Sequence, residues 1–527
     1  MYEKICSFYH NIAKHKQYWC IVIFFILFAY GFSLTRNTLS IDDLSSYAGV
    51  DIASGRWGMR LWYILSGRQE YSPYIFKFLG VVLFGVSGSL LSCLFYSLLP
   101  ENHNTSVYPY TFLSAVFITF PLINEIWEYN GANYFVAGNF AVAFLSILFI
   151  LFGKMTYIKK TLISGIMMSI VVSSYESVVF VYITTIFCVL FYRFCILKEK
   201  SAKWYQWITE GARFIPCLLI AIVIRYIVQQ ILMAIFSLSP TTMGSTGINW
   251  NSFSLDSLPI LIYKTMDAYI FKFEYLPILL FVLSVCVFGI LIVFRCIHCR
   301  SLLPIVIGIC IMASLFLLEI IQFLNLPYRT AQGIGLFVAF VVFLLLDCVR
   351  HCQKSAVQVI TVVICFFVTV YQSGYLSWTL EMNHLRSENE LLIVRYLGSD
   401  LVRNYDTQKL IVFCGEYHIG DYIENRIGIR ATKEQLAITH YPLYDNEHRI
   451  FETNVNSVIN WSLIAFGDDE TINQMKSLFS YCGYDLNIKK GYFKEIQKYT
   501  EKAESLHMKP LETRDMGDYI LVYLGAD

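Results

Sequence analysis

Charge is what this sequence has least of. Asp, Glu, Lys and Arg make up 15% of its 527 residues, against 56% hydrophobic and 17% aromatic, and the mean hydropathy is +0.54. A soluble fold of this length cannot bury so much apolar surface, so an integral membrane protein is expected. The net charge is only +1, which leaves no electrostatic footprint for nucleic acid or for an acidic partner. A cleavage signature is missing too: Lys4, Lys14, His15 and Lys16 precede an apolar run at 19–34, but no small-residue site follows it. That run is expected to be an uncleaved first span. The chain carries no internal repeat and no low-complexity linker. Nor do its 15 cysteines form a disulfide framework, since most lie inside apolar runs or beside short basic loops, where a thiol behaves as a small hydrophobe. Cys414 and Cys482 leave one disulfide open in the C-terminal region. Cys296-Ile-His-Cys299 and Cys348-Val-Arg-His-Cys352 lack the spacing of a tetrahedral metal site within one loop, so no metal centre is assigned there.

What is present is a series of apolar runs. A span needs about 20 apolar residues to cross a hydrocarbon core of about 30 Å. Eleven are placed, near 19–36, 76–99, 108–127, 133–153, 160–175, 178–194, 213–236, 276–294, 302–324, 332–348 and 356–378. The stretch 160–194 is divided because a single helix of that length would reach about 52 Å, and Ser173-Ser-Tyr-Glu-Ser177 is its one polar interruption. The connections 154–160, 193–213, 295–300 and 350–354 are basic and fall on the side of the basic N-terminus, which the charge bias of short loops assigns to the cytoplasm. The outer loops then hold Asp42 and Asp43, Glu125 and Glu128, the Tyr175-Glu176 break, residues 248–274 and Pro327-Tyr-Arg329.

The composition changes after residue 380. Residues 381–527 are charged and carry no spanning run, which predicts a small soluble α/β domain beyond a multi-span domain at 1–380. Helices are expected at 383–402, 471–480 and 492–504, and strands at 409–414, 462–466 and 519–524.

The stretch 39–63 has the composition of a site, with Asp42 and Asp43 followed by Asp51, Arg56 and Arg60 and a tryptophan-rich run. Adjacent carboxylates at a membrane surface can divide the roles of general base and cation ligand. Equally, Asp42 can cap the next helix while Asp43 is solvated. Arg329 has the planar donor fork that suits a phosphate, or snorkels among headgroups. Arg225 lies mid-span, where a charge must be paired or hydrated; Glu319 offers a partner, and the other reading is a polar channel. Glu125 and Glu128, three apart, share a helix face, and with Trp127 and Tyr129 they resemble a carbohydrate contact surface, although an aromatic belt explains the rings equally well.

Leu39-Ser-Ile-Asp-Asp43, Gly55-Arg-Trp-Gly58, Tyr71-Ser-Pro73, Ser174-Tyr-Glu-Ser177, Pro327-Tyr-Arg329 and the closing Gly517-Asp-Tyr-Ile-Leu-Val-Tyr-Leu524, in this order, resemble bacterial O-antigen glucosyltransferases of the serotype-converting type, the type II glucosyltransferase family. The resemblance implies a C-type membrane glycosyltransferase, multi-pass in the bacterial inner membrane, that moves a sugar from a polyprenyl-phosphate donor to a surface polysaccharide on the outer leaflet. It implies Asp42 or Asp43 as catalytic base, Arg329, Arg56 or Arg60 on the donor phosphate, and Glu125, Glu128, Tyr175 and Glu176 on the substrates. No cofactor is required, and a divalent cation at the aspartates stays open. An O-antigen polymerase, another envelope polysaccharide enzyme, or a lipid or polysaccharide flippase is the alternative; the last would also use intramembrane charges and broken helices.

Overall fold

The computed structural model describes residues 1–40, 43–44, 50–67, 73–100, 106–129, 132–197, 205–238, 278–322, 330–350, 355–417, 440–444, 450–454, 457–464, 473–491 and 493–525. These fall into two compact units: Met1–Thr35 with Tyr47–Trp127 and Gly131–Thr379, and Leu380–Asp527 with Arg36–Ser46 and Glu128–Asn130.

The first unit is helical, and each of the eleven apolar runs contributes a helix. Seven are long and apolar enough to cross a membrane: Lys16–Thr35, Tyr74–Ser97, Asn133–Phe152, Ser177–Ile196, Gln206–Phe236, Ile278–His298 and Ser355–Asn404. The other four runs of the eleven give shorter helices, Tyr108–Ile118, Tyr157–Val172, Leu303–Leu315 and Gly333–Val349. Each is interrupted or bounded early. Pro121 opens a separate short turn after Ile118, Phe316 leaves helical geometry after Leu315, and Tyr157–Val172 stops at the paired serines after 16 residues. At 1.5 Å per residue that last helix is about 24 Å long.

Burial separates inner from outer helices. Tyr108–Ile118 and Gly333–Val349 are buried along nearly their whole length, as helices apolar on every side must be when other helices surround them. Lys16–Thr35 and Ile215–Phe236 instead leave Phe24, Phe28, Ile222 and Ile231 exposed, as lipid-facing sides do. Aromatic rings fill the interior, Tyr30 against Trp127 at 4.3 Å and Phe95 against Phe343 at 5.2 Å. Small polar residues join the helices where they approach most closely. Ser114 donates to the Gly88 carbonyl at 2.8 Å and lies 2.8 Å from the Tyr18 hydroxyl, and Gln372 donates to the Val116 carbonyl at 2.7 Å.

The basic connections gather at one end of this unit. The Met1 ammonium donates to the Phe152 carbonyl at 2.7 Å, Lys154 pairs with Glu3, and the Tyr157 hydroxyl donates to the Arg213 carbonyl. Tyr192 donates to Asp347, which also pairs with Arg350.

In the second unit, the helix expected at 383–402 is a continuation of the last apolar run. One helix, Ser355–Asn404, covers both, because no Pro and no Gly interrupts 375–397. Strands Leu410–Cys414 and Tyr519–Tyr523 pair in parallel, Leu410 opposite Tyr519, and Glu512–Asp515 adds antiparallel to Tyr519–Tyr523. A hairpin, His440–Tyr444 with Ile450–Asn454, forms separately. Ile411, Phe413, Ile520 and Val522 pack with Leu397, Leu401, Leu478 and Phe479, and Leu39 joins the same core.

One element changes type. The strand expected at 462–466 is corrected to the helix Val458–Ile464. Its start is capped twice: Ser457 Oγ accepts from the Asn460 N–H at 3.1 Å, and the buried Glu390 carboxylate accepts from the Val458 N–H and from the Ser457 hydroxyl. Capping side chains outweigh a short apolar pattern. Cys414 and Cys482 are free thiols, so the disulfide left open by the sequence does not form.

Candidate active site

The one polar break in residues 160–194 organises a charge cluster in the helical unit. Tyr157–Val172 and Ser177–Phe191 are separate helices, and Glu176 stands in the turn between them. Its Oε1 accepts from Arg225 Nη2 at 2.5 Å, and its Oε2 lies 3.8 Å from Arg56 Nη2. Arg225 comes from the middle of Ile215–Phe236 and pairs with Glu176, while the side chain of Glu319, the partner suggested by the sequence, lies outside the described ones. Mid-helix placement among apolar neighbours leaves a guanidinium few alternatives.

The Gly55-Arg-Trp-Gly58 motif closes this cluster from the other side. Gly55 has φ +79°, the left-handed conformation that glycine adopts without steric cost, and this turns successive carbonyls toward Ile215–Phe236. Gln229 donates to the Ala53 carbonyl at 2.8 Å, and Arg225 donates to the Ser54 and Gly55 carbonyls at 3.4 and 3.3 Å. Trp57 Nε1 returns a bond to the Arg225 carbonyl. The Gly58 N–H donates to the Ser173 carbonyl at 3.0 Å, and a Cβ there would strike the Ser173 and Ser174 hydroxyls and the Ile170 carbonyl. The helix Trp57–Leu65 continues along Asn133–Phe152, with Trp62 donating to Asn139 at 3.0 Å.

Among the described residues, two guanidiniums share one carboxylate, so the cluster keeps a net positive charge. Arg225 and Glu176 are 20% and 14% exposed, whereas Arg56 is 36% exposed and holds Glu176 only at ion-pair distance. Arg56 Nε is buried without a hydrogen-bond partner. Among the described residues, Arg56 is thus a cation with donor capacity to spare, placed beside a pair already fixed. A family model described as glucosyl transferase GtrII matches residues 31–346.

The chain belongs to this family.

It is therefore an enzyme, a glucosyltransferase, and its long apolar helices make it a multi-pass membrane protein. Comparison with curated proteins and with solved structures gives no match. The matched span takes in every site residue singled out from the sequence, while Leu380–Asp527 lies beyond it.

Several of those residues make other contacts or lie outside the description. Asp43 is half-buried and forms a local turn: its carboxylate accepts from the Ser40 N–H at 2.9 Å, and its own N–H donates to the Ser40 carbonyl. Asp42 and Arg329 lie outside the described residues, as do the side chains of Glu125 and Glu128, whose backbone is helical in Asn124–Glu128. Arg60 is exposed on Trp57–Leu65, and Tyr175 is half-buried with its ring 6.4 Å from that of Phe135. The reading of Trp127 as part of a sugar platform is corrected. It is 1% exposed, donates to Ser33 at 2.7 Å and packs on Tyr30, so it is core. Residue spacing had not revealed the link between Glu176, Arg225 and Gln229; the available signal was that each interrupts an apolar run.

Proposed function

We propose that this glucosyltransferase moves glucose from a polyprenyl-phosphate donor to O-antigen or a related surface polysaccharide at the outer face of the bacterial inner membrane. The observation that carries this reading is the Glu176 cluster, a net cationic group with a spare donor on Arg56, set among helices long enough to reach a lipid-borne substrate. In the proposed reaction, the acceptor hydroxyl gives its proton to Asp42 or Asp43 while its oxygen attacks the anomeric carbon. The bond from that carbon to the phosphate oxygen breaks with inversion, and polyprenyl phosphate leaves with the electron pair. Charge grows on the phosphate in the transition state, where Arg56, with Arg60 and Arg329, stabilises it. Glu176 fixes the arginines, and Tyr175, Glu125 and Glu128 orient the sugars.

The scheme requires no metal, because a single phosphate leaving group is matched by guanidinium charge; a divalent cation at the aspartates is compatible with it. The gathering of Met1, Lys154, Arg193 and Arg350 at one end supports a cytoplasmic N-terminus through the charge bias of inner loops. The C-terminal unit is then extracytoplasmic. The test is transfer of labelled glucose from polyprenyl-phosphate glucose to lipopolysaccharide in membranes carrying wild type, Asp42→Asn or Asp43→Asn. Loss of transfer in one variant at normal protein level is expected. Equal transfer by all three would remove the aspartates from the mechanism.

A further inference from the structure

A cavity, distinct from the Glu176 cluster, opens where Tyr157–Val172 begins. It has a volume of about 700 Å³ and is lined by Lys160, Arg193 and Arg213 with a single carboxylate, Glu210. Glu210 holds both arginines at 2.9 Å, one on each oxygen. Lys160 donates to the Ile150 carbonyl at 2.8 Å and has no carboxylate partner among the described residues. Among the described residues, these three cations face one anion around a wall that includes the apolar Leu98, Phe152 and Met155. The lysine and the arginines come from three separate helical segments, so the charge is assembled by the fold. Glu176 lies just past the far end of the same Tyr157–Val172 helix, about 24 Å away along its axis. This cavity therefore belongs to the opposite end of the unit, where the basic connections meet.

We infer that this cavity binds the phosphate headgroup of an anionic bilayer phospholipid, with an acyl chain against the apolar wall. Cations at the end of membrane helices attract anionic headgroups, and a cavity with both charge and apolar lining suits a lipid better than a free anion. Glu210 keeps the two arginines apart and aimed, while Lys160, tied by one of its three donors, retains two for phosphate oxygens. Such a lipid would brace the start of Tyr157–Val172 and so the turn that carries Glu176.

The test uses the full-length protein purified in neutral detergent, with thermal unfolding and native mass spectrometry read after adding phosphatidylglycerol, phosphatidylcholine or inorganic phosphate. Wild type is expected to gain thermal stability with phosphatidylglycerol alone and to retain it in the spectrometer. Equal gains with phosphatidylcholine would overturn the charge requirement, and an equal gain with inorganic phosphate would overturn the lipid requirement. The double variant Lys160→Gln/Arg213→Gln is expected to bind phosphatidylglycerol at least about tenfold more weakly, whereas Lys154→Gln, which removes a charge outside the cavity, is expected to bind as wild type does. An equal loss in Lys154→Gln would reduce the effect to general surface charge and overturn the site. Because the wild-type lipid comparison needs no variant, it decides the matter even if the double variant does not fold.

Discussion

Two carboxylates, one in each unit, answer burial in different ways. Glu176 meets two guanidiniums and keeps 14% exposure, and among the described residues its neighbour Arg56 has Nε buried without a partner. Glu390, 1% exposed, meets the Ser457 hydroxyl and the Val458 N–H, donors that complete a helix start. Burial pushes the Glu390 carboxyl above its ordinary range, with Arg386 and the donors opposing this in part. The comparison separates an acid held by two guanidiniums from distant segments from an acid whose acceptors complete the start of one helix. Burial of an acid is therefore weak evidence of chemistry by itself; what differs is whether its partners are guanidiniums or the donors of a helix start.

The comparison breaks most visibly at Arg56. Arg56→Gln is expected to lower glucose transfer about 10²-fold, the scale of losing one charge-stabilising donor, with unchanged membrane insertion. Transfer at the wild-type rate would make the Glu176 cluster a structural clamp of the same kind as Glu390. Glu176→Ala is expected to act on stability as well, by about 3–5 kcal/mol, because it leaves Arg225 mid-helix without a counter-charge. Thermal unfolding in detergent reads this, and an unaltered midpoint would show that the carbonyls of Ser54 and Gly55 suffice for Arg225.

On the other side of the comparison, Glu390→Ala is expected to cost about 2–3 kcal/mol by stranding buried donors and to speed amide exchange in Val458–Ile464, while sparing the transfer chemistry. Its pH dependence has a definite sign. A carboxyl whose folded pKa is raised contributes its full stability below the ordinary carboxyl range and loses it as pH rises through the raised value. Exchange in Val458–Ile464 should quicken over that window in wild type and lose this dependence in Glu390→Gln. The smallest effect concerns thiols. Burial pushes Cys414 up to about 12, so maleimide should label it far more slowly than the half-buried Cys482. Equal rates would mean that the strand Leu410–Cys414 opens readily.

How much was legible in the sequence depended on the range of the interaction. Each apolar run identified a helix of the first unit, since the cost of unpaired backbone in hydrocarbon leaves little else for such segments; shorter helices such as Trp57–Leu65 and Gln206–Ala212 were not among them. Local composition also located the break at Glu176 and the parallel core strands Leu410–Cys414 and Tyr519–Tyr523. It misjudged 462–466 because the cap that makes Val458–Ile464 helical is supplied by Glu390, nearly seventy residues earlier. Trp127 was misread for a similar reason: an aromatic residue beside carboxylates has the same local pattern whether it faces a sugar or, as here, Ser33 and Tyr30.

By itself, then, the sequence determined a multi-pass helical protein with an α/β unit at its end, because apolar length and strand pattern are local properties. The residues of the Glu176 cluster were each visible as charges in unfavourable surroundings. Their partners were not. Only the tertiary structure decided that Arg225 pairs with Glu176, that Gly55 turns its neighbours' carbonyls toward Gln229 and Arg225, and that Lys160 and Arg213 share one cavity. Pairing between distant charges depends on which helices lie side by side, and helix packing is set by the summed fit of many small contacts that no single stretch of sequence encodes.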